Sequence, residues 1–160
     1  MEDSELQVEA VLDLKEIVLA NSTFGPAEIE QLTSAIASDF SNYAVLRDAV
    51  AELEVREDRS PATSVRLGVC YFLMGRFDRA RETLANADGG ALAHFYQGKS
   101  HFSGGDYAAA QECYLAAANA GYDADVCALC RAEALRYSGD PEGANAILEG
   151  LSGAIQHTAD

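Results

Sequence analysis

The residues best able to do chemistry in this chain are its four cysteines, its three histidines and a few closely spaced carboxylates. Cys127 and Cys130 have the C-x-x-C spacing of a metal-ligating or redox pair, with Cys113, His94 and His101 nearby in sequence. On a helix this spacing brings both sulfurs near one face. A metal-binding reading therefore stands beside the plainer one, reduced and buried thiols. A structural zinc site would need a second such pair or a His-x-x-His, and a thioredoxin-like centre would need alternating strands and helices; the sequence offers none of these. His94 and His101 are seven apart and share a helical face, yet no Ser, Cys or acid stands at a spacing that would make either a catalytic base. Glu28 and Glu30, like Glu52 and Glu54, are two apart and point to different sides of a helix, as solvated surface does. Gly89-Gly90 and Gly104-Gly105 lack the preceding strand and following Lys-Ser/Thr of a phosphate loop, so they read as turns. No catalytic residue, metal site or cofactor is expected, and the chain does not read as an enzyme.

The elements around these residues are helical. In 160 residues, 49% are apolar, enough for a packed core. Ala, Leu and Glu recur, Pro is scarce, and the β-branched runs of a sheet are missing. The fold class is all-α. The net charge of −15 repels phosphate backbones and anionic membranes, which argues against nucleic acid as a partner. No stretch reaches the ~18 apolar residues of a membrane helix, and no signal peptide is recognisable, so the expected location is the cytoplasm, without membrane insertion.

An internal repeat organises the second half. Gly75, Gly105 and Gly139 stand 30 and then 34 residues apart. Seven residues before them lie Gly68, Gly98 and Ala132, and five residues after them lie Ala80, Ala110 and Ala144. A small residue on each of two facing helices lets them approach closely. The turn glycines supply the left-handed conformation that ends a helix, and Asp106 or Asp140 can cap the next one. A hairpin so built cannot bury its apolar face alone, so three must stack.

This grammar resembles that of the tetratricopeptide repeat, a helix–turn–helix unit of about 34 residues, three times over residues 61–152. The second unit is short by four residues, the third has Arg131 and Leu135 where larger packing residues are usual, and Pro141 opens its second helix. The resemblance implies a superhelix of hairpins whose first helices line a concave groove for a partner's segment. Carried over residue by residue, the groove takes Val65, Val69 and Phe72 from the first repeat and Leu92, Phe95, Lys99 and Phe102 from the second. The third gives Val126, Leu129, Glu133 and Arg136. These are mostly apolar, so the basic clamp that grips acidic chaperone tails in other tetratricopeptide domains is absent, and an apolar or amphipathic segment fits better. Phe95 and Phe102 also read as core residues, or as covered by the chain's own N-terminal helix. If both line the groove, replacing both with Glu should leave the fold intact.

Residues 1–58 read as less regular helices that cap the stack. An amphipathic helix spans Leu6 to Ala20, a second opens at Pro26 and ends near Asp39, and a third follows Ser41; residues 27–58 form a degenerate hairpin. Residues 153–160 read as a tail, and so abrupt an end suits a piece of a longer protein. The expected function is a protein-binding scaffold or adaptor. Two alternatives stand beside it: a dedicated chaperone like the small tetratricopeptide chaperones of type III secretion, and a self-assembly module joined through residues 6–20.

Overall fold

In a computed structural model, residues 14–20, 23–57 and 59–157 are described, and among them there are helices and no strands. Residues 14–19 are helical (α1). There follow α2 (Pro26–Ser38), α3 (Ser41–Glu54), α4 (Pro61–Leu73), α5 (Phe77–Ala85), α6 (Ala91–Ser103), α7 (Tyr107–Asn119), α8 (Ala124–Tyr137) and α9 (Pro141–His157). From α4 onward each helix packs on the next in sequence, giving three consecutive hairpins: α4–α5, α6–α7 and α8–α9. The tail expected after residue 152 is corrected in part, because α9 continues through His157. Residues 6–13 of the expected N-terminal helix lie outside the described residues.

Local chemistry sets these boundaries. Ser60 accepts a hydrogen bond from the Thr63 amide, and Pro61 takes the first helical position of α4, where no amide donor is missed. Asp106 accepts from Ala109 N, Asp123 from Val126 N, and Asp140 from Gly143 N, capping α7, α8 and α9. Each hairpin turn closes in one way. Gly105 (φ 83°) donates to Phe102 O and Asp106 donates to His101 O; the same pair of bonds recurs at Gly75 and Gly139. That is the Schellman closure, which needs a positive φ that a side chain resists.

The helices of a hairpin approach as closely as their small residues permit. A Cβ added to Gly98 would lie 2.7 Å from the ring of Tyr114, and one on Gly68 would lie 2.5 Å from Leu84 Cγ. Across the turns Ala80, Ala110 and Ala144 have no exposed surface. The small residues read in the sequence therefore lie at the close approach, Gly68 against Leu84 and Gly98 against Tyr114, with Ala80 and Ala110 buried on the second helices.

Two core clusters run through the stack. The first joins Leu14 and Val18 of α1 to Leu32 of α2, Leu46, Val50 and Leu53 of α3, and Leu67 and Cys70 of α4. The second joins Ile29 of α2 to Val65, Val69, Leu84, Phe95, Tyr96, Tyr114 and Cys127. The apolar side chains that α1 was expected to offer to a second copy are thus spent inside the chain where it is described. Polar contacts fasten the N-terminal helices to the repeats. Arg66 donates to Val18 O, Arg56 to Leu19 O, and the Tyr71 hydroxyl to Glu54 at 2.7 Å. Arg79 pairs with the same carboxylate and lies over the Tyr71 ring. Burial, then the bond to Glu54, pushes the Tyr71 phenol up to about 12.

Gly98→Ala tests the close approach. Ala is the better helix former by about 1 kcal/mol, whereas overpacking a core costs roughly 1–3 kcal/mol. Tyr114 is rigid and buried, so the second effect should win and the urea midpoint should fall. Tyr71→Phe should lower stability by about 1 kcal/mol, the worth of one hydrogen bond, read from the same unfolding curves.

Candidate partner-binding groove

The first helices of the three hairpins, α4, α6 and α8, carry the residues that the repeat phase assigns to a groove. Their accessibility rises along the stack. Val65 (7% exposed) and Val69 (0%) sit in the second core cluster with Ala93 and Tyr96 of α6 and Ile29 of α2. Phe95 (5%) is covered by Tyr122, whose ring stacks on it at 4.1 Å from the loop between α7 and α8. These three are core residues, which corrects their placement as groove lining. Phe72, Leu92, Lys99 and Phe102 are half-buried, and Val126, Leu129, Glu133 and Arg136 of α8 are exposed. What stays accessible is a surface running from Phe72 across α6 to the outer face of α8.

Its geometry comes from aromatic packing. Phe102 meets Tyr107 at 5.3 Å and Tyr137 at 5.2 Å, both edge-on, so the C-terminal ends of α6 and α8 share one cluster. Phe72 meets Tyr96 edge-on at 5.4 Å. The Lys99 ammonium lies 6.0 Å from the Phe72 ring centre and 5.8 Å from that of Phe95, at the outer range of a cation–π contact. Leu129 (51% exposed) and Tyr137 (63%) are large apolar side chains left open to solvent on the same helix. Tyr137 and Tyr122 were not singled out by the repeat phase. Tyr137 stands one residue beyond the last phased position, Arg136, and Tyr122 follows Gly121, a further positive-φ glycine at a helix end.

At the other end of α4 and α6 lies a cleft of about 680 Å³ lined by Phe24, Ser60, Val65, Arg66, Gly90 and Leu92, among others. The stretch just before α2 forms one wall of it, and Arg66 lies over the Phe24 ring. Chain from outside the repeats thus closes part of the surface that the phase assigns to the first repeat.

Cys70 and Cys127 are buried, Cys113 and Cys130 half-buried, and all four are free. Burial pushes each of the four thiols up, Cys70 to about 12, away from the thiolate that metal binding or redox exchange requires. Among the described residues no three of His, Cys, Asp and Glu come together to hold a metal ion. No helix among them is long and apolar enough to cross a membrane. His101 is held below its usual range by burial and by Arg81, with Asp106 at 3.9 Å opposing.

Residues 63–87 match the family model of the tetratricopeptide repeat, a span that takes in α4 from its third residue, α5 and the start of the loop after them. No curated protein and no solved structure matches the chain. The matched hairpin and the stack of like hairpins that follows it fit one architecture.

The depressed His101 predicts a pH effect whose sign is fixed. The unfolded chain takes up this proton first, so the neutral form's contribution is present above about pH 6.5 and is lost as pH falls below it. His101→Gln should flatten the fall in stability between pH 7 and 5.5 relative to wild type, as read by thermal unfolding.

Proposed function

We propose that this tetratricopeptide-like chain is a non-catalytic scaffold or adaptor that holds an apolar or amphipathic segment of another protein on the open surface of α6 and α8. One observation carries the reading. α8 leaves Val126, Leu129 and Tyr137 exposed, the first two at positions that the repeat phase assigns to the groove and the third one residue beyond it, whereas α4 to α7 together expose one large apolar side chain, Leu115. Apolar side chains grouped in this way mark interaction surfaces, whereas single exposed ones need no explanation. Tyr137 adjoins the half-buried Phe102, so an occupant would meet side chains of α6 and α8 together. The family match supports a protein-binding role in general. Four free thiols fit a reducing compartment, and we place the chain in the cytoplasm.

The chaperone and self-assembly readings gain no comparable observation. Self-assembly through residues 6–20 would have to use side chains other than Leu14 and Val18, which are already buried.

The test separates surface from core. Val126→Glu with Leu129→Glu should leave the unfolding transition within about 0.5 kcal/mol of wild type, as surface changes do, and abolish partner capture. A photocrosslinking residue at position 129 should trap a partner protein, while the same residue at position 115, exposed on α7, should not. Equal trapping at both positions would remove the groove from the proposal. Phe95→Glu should instead unfold the chain, since it buries a carboxylate against Tyr122 and Tyr114.

A further inference from the structure

Each of the first two hairpins is sealed by the helix that follows it, α6 on α4 and α5, and α8 on α7. The sealed positions recur in the third. Three residues before the small residue of each first helix stand Val65, Phe95 and Leu129, and four after the alanine of each second helix stand Leu84, Tyr114 and Leu148. Val65, Leu84, Phe95 and Tyr114 are buried in one cluster, where the Phe95 and Tyr114 rings meet at 5.7 Å. Leu129 is 51% exposed, and Leu148 is half-buried together with Leu151, one turn beyond it. The outer face of a stack that is meant for water carries polar residues. Here all three are leucine.

The existing seals show what fits such a face. Both are helices, α6 with 13 residues and α8 with 14. Each brings a small side chain into the cluster at the same place, five residues before Gly98 and Ala132: Ala93 on α6 and Cys127 on α8, both 1% exposed. A ring joins the same cluster in each case, Tyr96 on α6 and Tyr122 in the loop before α8. In a second copy these sealing helices are already buried in its own stack, so the occupant is a different chain. Resting on the groove reading above, we propose that the segment this chain holds is an amphipathic α-helix, as long as α6, that seals α8 and α9 as α6 seals α4 and α5. Its apolar stripe has a small residue where α6 has Ala93, and a large apolar one three positions on, where α6 has Tyr96. The small residue sets how near the helix can come, because interaxial distance follows the side chains at the contact.

The experiment is selection of two displayed peptide libraries of equal length on the immobilised full chain. One has an Ala-, Glu- and Lys-rich frame with randomised positions at helical spacing; the other is random around a central proline. Binders should come from the helical library and carry Ala, Gly, Ser or Cys at one randomised position, with Tyr, Phe or Leu three further on. Replacing that small residue with Leu, or placing a proline at mid-helix, should weaken binding about tenfold. Leu129→Glu and Leu151→Gln in the chain should each do the same with circular dichroism unchanged. A photocrosslinking residue at Asn145, exposed one turn before Leu148, should trap the peptides even if Leu151→Gln proves destabilising. Binders from the proline library would overturn the helical seal and leave the groove standing. So would peptides that depend on Leu129 yet ignore both Leu151 and position 145. A chain that dimerises through Leu129 in light scattering and selects no peptide would replace the partner helix with a second copy. Peptides indifferent to Leu129→Glu, or an empty selection on a monomeric chain, would overturn the groove reading and this inference with it.

Discussion

The rest of the structure depends on how closely two helices can approach within each hairpin. At Gly68 and Gly98 there is no room for a single methyl group, because Leu84 and Tyr114 already fill the space. That approach fixes the crossing of α4 with α5 and of α6 with α7, and with it the face each pair turns toward its neighbours. Once the faces are fixed, apolar surface left on one hairpin is covered by the next, which is why the fold propagates as a stack. The third hairpin has alanine at both small positions, Ala132 and Ala144, and both are buried.

This explains which parts of the fold were legible in the sequence. Small residues at fixed distances from a turn glycine have few other uses, so the hairpins, their caps at Asp106 and Asp140 and their Schellman turns could be read from spacing. The start of α2 at Pro26 and of α3 at Ser41 were equally visible, because proline and turn chemistry act locally. The length of α9 was not. Leu148, Leu151 and Ile155 do continue a helical period, but Gly150 and Gly153 interrupt it with poor helix formers, so in sequence the segment reads as a tail.

The candidate site was less legible than the fold, and for a physical reason. Repeat phase tells which way a side chain points from its helix. It does not tell whether a neighbouring helix fills the space in front of it. Val65 and Val69 point as expected, yet α6 and Ile29 of α2 occupy that space. Phe95 points as expected and is roofed by Tyr122, a loop residue outside the repeat's own positions. The phase coincides with full exposure at α8, and with partial exposure at Phe72, Leu92, Lys99 and Phe102.

The gradient of exposure from α4 to α8 is therefore a consequence of side-chain size as much as of position. Val65 and Val69 are small enough for α6 to close over them, and Ala93 on the facing helix helps it do so. In the next step the corresponding residues are Phe95 and Lys99. Phe95 needs Tyr122 to cover it, and Lys99 keeps its ammonium on the outside, over aromatic rings. A charged head on an apolar stem can border a groove without being buried in it. The first repeat is thus built to close and the second and third to stay accessible, and the change takes place at two residues on α6. Any partner surface must begin where the helices can no longer seal against each other.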